Sequence, residues 1–240
     1  MGNDESHDSL QLPLSVAVSK NARIMITKRC LLLGTVCFHA AAMAGEGGVI
    51  KGRVPLEGSA VPIAVEKYSG KISGKVSPPP RPIAAVWLEA PNLHAPSDAK
   101  PIAVEQRGYQ FGNWLVVVPV GARVTFPNMD ADYHNVFSLS KAKRFDLGRY
   151  KPEEKPSPVV TFDKPGVVRL FCEIHEHMRG TILVVDSPHF TRTGEGGSFT
   201  LGGVPPGTYT LKAWVDERRM WEQSVTLTSG RAVEVNLPAK

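Results

Sequence analysis

The chain has 240 residues, 42% hydrophobic and 21% charged, enough for one large or two small packed domains of ordinary globular composition. Its 28 Lys/Arg and 23 Asp/Glu give a formal charge of +5 with no dense basic stripe or RNA-binding motif, which argues against a nucleic-acid partner. No apolar run is long enough to form a membrane-spanning helix in the mature chain.

Residues 1–44 read as a signal peptide. Lys28 and Arg29 form a basic n-region, residues 30–42 an apolar h-region, and Ala42-Met43-Ala44 a small-x-small cleavage pattern before Gly45. The polar stretch before Met25 fits an n-region poorly, which makes Met25 an alternative start. An uncleaved anchor is the competing reading; a lipoprotein signal fits less well because bulky Val36 precedes Cys37. Removing the leader takes Cys30 and Cys37 with it and leaves Cys172 as the single cysteine of a periplasmic or secreted protein. An unpaired thiol in an oxidising compartment needs protection. A metal bond supplies it; burial in a core is the other possibility.

The remainder carries almost no helix signal. Short runs of Val, Thr, Phe and Tyr alternate with Gly/Pro turns, the pattern of an all-β sandwich or barrel. Strands are expected at 49–54, 83–89, 115–118, 123–127, 159–162, 167–171, 181–185, 198–201, 208–215, 223–228 and 232–237. The proline run at 77–82 suits an extended or edge segment, and the polar 91–100 stretch a domain junction. Near the C-terminus, strand 198–201, the Val204-Pro205-Pro206-Gly207 turn and the strand from Thr208 resemble the transthyretin-like, carboxypeptidase regulatory-like β-sandwich.

Strands of the kind that open that module stand far upstream, at 49–54 and 84–89. The expected organisation is therefore N-terminal strands at 45–92 belonging to the same sandwich, a middle domain at 93–187, and the rest of the sandwich at 188–240. The middle domain is then an insertion; two or three domains in series is the alternative.

The middle segment carries the chemistry. Strand 167–171 delivers Cys172, a short loop brings His175 and Met178, and a strand follows at 181. About forty residues earlier stands Tyr133-His134-Asn135-Val136. One thiolate and two imidazoles form a trigonal set, with a thioether as a weak axial ligand, which suits a copper electron-transfer site. Zinc could use the cysteine and histidines, but methionine is a poor zinc ligand. His177 competes with Met178 for the axial place. Asp130, Asp132 and Asp146 read as turn and loop residues, His94 and His189 as solvated junction residues, and Trp214 and Trp221 as packing for the terminal sandwich or its rim.

Cys172-x-x-His175-x-x-Met178-Arg179-Gly180, with His134-Asn135-Val136 upstream, resembles the ligand pattern of amicyanin-type cupredoxins. The whole mature chain resembles bacterial plastocyanin-like or methylamine-utilisation proteins. The resemblance implies a cupredoxin Greek-key sandwich beside the smaller transthyretin-like one. It also implies one type 1 copper per chain on His134, Cys172, His175 and Met178, with Asn135 steadying the ligand loop.

Its expected function is single-electron transfer between redox proteins, such as a periplasmic dehydrogenase or c-type cytochrome, with no substrate of its own. Ile174, Glu176 and Tyr133 stand where such loops usually carry proline. Copper handling, or an interaction module without a working metal, are the alternatives.

Overall fold

The alternation of side chains along each strand decides how this chain layers. In the computed structural model, residues 47–56, 82–94, 100–152 and 157–239 are described. The leader at 1–44, the prolines at 77–81 and the junction residues 95–99 lie outside the described residues.

Among these, the regular structure is β apart from one short 3-10 turn. In chain order the strands are β1 (Gly48–Arg53), β2 (Ala85–Glu89), β3 (Ile102–Ala103), β4 (Leu115–Pro119), β5 (Ala122–Thr125), β6 (His134–Leu139), β7 (Arg144–Tyr150) and β8 (Val159–Phe162). They continue with β9 (Gly166–Phe171), β10 (Arg179–Val185), β11 (Phe190–Arg192), β12 (Ser198–Val204), β13 (Gly207–Asp216), β14 (Arg219–Leu227) and β15 (Ala232–Asn236).

Four sheets result, ordered β12-β1-β15, β11-β2-β13-β14, β4-β10-β9-β6-β7 and β3-β5-β8. The first two join strands from both ends of the described chain: β1 runs antiparallel to β12 and parallel to β15, and β2 pairs with β11 and β13. The last two use only strands between Ile102 and Val185.

Three apolar cores separate the four sheets. On β2, Val86 and Leu88 enter the core shared with Ile50, Phe199, Leu211 and Trp221. Their neighbours Ala85 and Trp87 point the other way, against Leu115, Val117, Leu183, Val185 and Trp214. On β10, Ile182 and Val184 face a third core with Phe126, Phe162, Val168, Cys172 and Met178. Successive residues of a strand serve opposite faces. The two inner sheets are covered on both sides, so β2, β4 and β10 are near-continuous apolar runs.

Close backbone approach fixes the outermost sheet. A Cβ on Gly52 of β1 would come within 1.7 Å of the Val235 carbonyl oxygen on β15, so only glycine admits this parallel pairing.

Trp221 packs in the terminal core. Trp214, by contrast, sits between the two inner sheets rather than within the terminal sandwich. Polar groups reinforce this seam. Arg169 on β9 donates to Thr181 Oγ1 at 2.6 Å, pairs with Glu217 and lies over the Trp214 ring at 5.5 Å.

Candidate metal centre

Two neighbouring strands of the five-stranded sheet deliver the site. β9 ends at Phe171, and Cys172 opens the loop leading to β10; β6 begins at His134 and meets β9 through the Phe137–Phe171 pairing. The loop turns tightly, with the Met178 amide donating to the His175 carbonyl at 2.9 Å. Cys172, His134, Met178 and His177 are buried, whereas His175 is partly exposed.

The structure gathers Cys172 Sγ and one nitrogen from each of His134 and His175 within 4.8 Å of one another. His134 Nδ1 lies 3.1 Å from His175 Nδ1, and Cys172 Sγ lies 3.8 Å from His175 Nδ1. Donors placed about 2.0–2.3 Å from a shared ion stand about 3–4 Å apart, so this set fits one mononuclear transition metal. Met178 packs in the same core as Cys172. The His177 ring centroid stands 6.1 Å from that of His175.

Electrostatics favour the ligating form of two of the three donors, Cys172 and His175. Burial pushes the Cys172 thiol up, but His134 and the backbone amides of Asn135, His175 and Ile174 outweigh it and hold the thiol below its ordinary value. The thiolate is the form that ligates. Burial also pushes His175 down, as do the charges of His134 and His177, favouring the neutral ring that a metal requires. For His134, burial acts downward, but Cys172 and Asp130 beside it prevail and raise it.

Asp130 and Asp132 lie in a bend before β6, as the sequence reading has it, whereas Asp146 lies within β7. Asp130 Oδ2 lies 2.9 Å from His134 Nε2. Its carboxylate also accepts the Gly108 amide at 2.7 Å and the Tyr109 amide at 3.0 Å. Asp132 accepts from the Tyr109 hydroxyl. Asp146 Oδ1 accepts the Asn135 side-chain amide at 2.7 Å, while Asn135 Oδ1 faces the Glu173 amide at 3.4 Å and ties β6 to the ligand loop. His94 does lie exposed, bonded to Asp186 at 3.0 Å.

Tyr109 was invisible to motif reasoning. Its ring meets His175 and His134 edge-on, with centroids 5.1 and 5.7 Å away. It reaches them from a tight turn in which Arg107 donates to the Gln110 carbonyl and both Gly108 and Tyr109 have positive φ. For tyrosine that backbone conformation costs energy, and strain of this kind collects at functional sites.

Residues 179–240 match the carboxypeptidase regulatory-like domain. That match starts within β10 and runs through β15. Among solved structures, the copper-containing nitrite reductase from Thermus scotoductus SA-01 is 25% identical, with a TM-score of 0.34 over 37% of this chain. The chain spans only 23% of that enzyme's length. A methionine-to-alanine variant of amicyanin in its Cu(I) form is 22% identical, and a reduced tryptophan-to-tyrosine variant 23%. Each has a TM-score of 0.33 over 42% of this chain and 98% of its own. No curated protein sequence matches the chain.

Proposed function

We propose that this chain is a periplasmic type 1 copper protein that carries single electrons between redox partners. The observation that carries the reading is the buried Cys172–His134–His175 cluster with donors within 4.8 Å, at adjoining strands of one sheet. A thiolate with two imidazoles is a copper donor set, and Met178 would add a weak thioether donor to it. Copper held there would exchange one electron between its Cu(II) and Cu(I) states.

The protein's part is to keep the donors still and dry. His134 is anchored on β6, Cys172 directly follows β9, and core packing around Met178 leaves no room for large rearrangement. His175 is the partly exposed member and serves as the electron exit; Ile174 beside it and Tyr133 beside His134 are exposed apolar side chains suited to a brief encounter. The partners are redox proteins, such as a dehydrogenase or c-type cytochrome, and no substrate is transformed. We further assign the middle segment, 93–187, as a domain inserted into a sandwich built from residues 45–92 and 188–240; the pairing of β1 and β2 with β11–β13 and β15 supports this.

A second reading, copper handling, draws on buried His177 in the ligand loop. Absorption and EPR spectra of residues 45–240 with one equivalent of Cu(II) separate the two. Electron transfer predicts an intense blue band, narrow copper hyperfine splitting and reversible cycling at an electrode, with the band lost in Cys172→Ser. A pale spectrum with ordinary splitting, or ready loss of copper to a modest chelator, would favour handling.

A further inference from the structure

The geometry points to Asp130 as a positioning residue that fixes the orientation of His134 and places a permanent negative charge behind it, lowering the reduction potential of the site. The inference rests on the copper reading above and adds a residue that is not itself a ligand.

Asp130 lies four residues before His134, and its side chain is 14% exposed while that of His134 is fully buried. The two carboxylate oxygens are fully committed. Oδ1 accepts the Gly108 amide, and Oδ2 accepts the Tyr109 amide and faces His134 Nε2. The Gly108 and Tyr109 amides reach the carboxylate from one tight turn in which both residues adopt positive φ. The Asp130 amide in turn donates to Asn128 Oδ1, and Asn128 Nδ2 donates to the carbonyls of Asp132 and Tyr150. The carboxylate cannot swing away without breaking its bonds to Gly108, Tyr109 and His134, and its backbone is tied through Asn128 to Tyr150 at the end of β7.

An ionised carboxylate can only accept, so Nε2 of His134 carries the proton and Nδ1 presents its lone pair toward Cys172 and His175. A carboxylate bonded to the far nitrogen makes a ligating imidazole more basic and restricts its rotation. Its negative charge favours the more positive metal state, Cu(II) over Cu(I).

Asp130→Asn tests this. It removes the charge and puts an amide at one of two oxygens that both receive N–H groups. Asp132→Asn is the matched control: it removes the same charge from the same loop but touches the Tyr109 hydroxyl rather than His134. Both variants and wild type are loaded with Cu(II), and potential, copper affinity and EPR splitting are measured.

The expected result is a higher potential and a roughly 10–100-fold weaker copper affinity in D130N, with a smaller shift in D132N. Equal shifts in the two variants, or an unshifted D130N beside a blue wild type, would overturn the role of Asp130. A colourless wild type would overturn the copper reading itself. Should D130N fail to fold, the wild-type Cu(I) protein carries the test by NMR. The His134 Nε2 proton must then appear downfield and exchange slowly with water; a proton in the ordinary imidazole range defeats the proposal.

Discussion

Two residues in the loop after Cys172 compete for one proposed role, and both are buried. Met178 is fully buried in the core that holds Cys172, and His177 is nearly as buried beside it. On the proposed assignment the thioether is the weak axial donor, so its loss should alter the potential more than the fold. Met178→Leu conserves volume and should cost under about 1.5 kcal/mol of stability. The blue band should persist while the potential rises, because a weak donor to the oxidised metal is gone. His177→Ala should leave the hyperfine splitting narrow. The reverse pattern, with the spectrum collapsing only in the His177 variant, would transfer the axial role to the imidazole. Voltammetry and EPR on both variants decide it.

At the scale of elements, the β13–β14 hairpin offers a pH test remote from the metal. Asp216 Oδ1 accepts the amides of Arg218 and Arg219 at 2.9 and 3.1 Å, and its carboxylate pairs with the Arg219 guanidinium. Burial pushes its carboxyl up, but the Arg219 side chain and these amides prevail and hold it below the usual range. A folded value below the unfolded one means the turn is stabilised above about pH 4, and the contribution is lost as pH falls through the folded value. Asp216→Asn should therefore lower stability at pH 7 by a modest amount, under about 1 kcal/mol for so exposed a pair. The gap to wild type should narrow in urea denaturation as pH falls below the ordinary carboxylate range.

The same scale shows where sequence reading reached and where it stopped. Strands buried on alternating or both faces, such as β2, β4, β9 and β10, were legible from their apolar runs. β6 escaped because His134, Asn135 and Ser138 occupy buried positions where a strand would ordinarily show hydrophobes. β7 is an edge strand whose Arg144-Phe145-Asp146-Leu147 alternation is short and is interrupted by Gly148 at φ +65°. Cys172, His175 and Met178 were visible because one loop holds them at fixed spacing. His134 needed the resemblance. Asp130 and Tyr109 could not be found, since their value comes from a turn and a loop that meet only after folding.

For the molecule as a whole, the sharing of inner sheets is the feature with consequences. Trp214 is contributed by β13, yet it lies against Leu115 and Leu183 of the sheet that also carries His134 and β9, the strand that leads into Cys172. Arg169 lies on that strand and bonds to Glu217 at the far hairpin, while Arg192 donates to the Leu115 carbonyl at 3.1 Å. Loss of the terminal sandwich would expose an apolar face of the sheet that carries the His134–Cys172–His175 cluster. Trp214→Ala should thus cost about 3–5 kcal/mol. It should lower the thermal midpoint of the blue band and that of far-UV circular dichroism by the same amount, in one transition. If the blue band instead kept its wild-type midpoint while the remaining β signal melted earlier, the seam would be a passive contact between independent domains. Coincident loss would mean that the terminal sandwich helps hold the metal ligands in place.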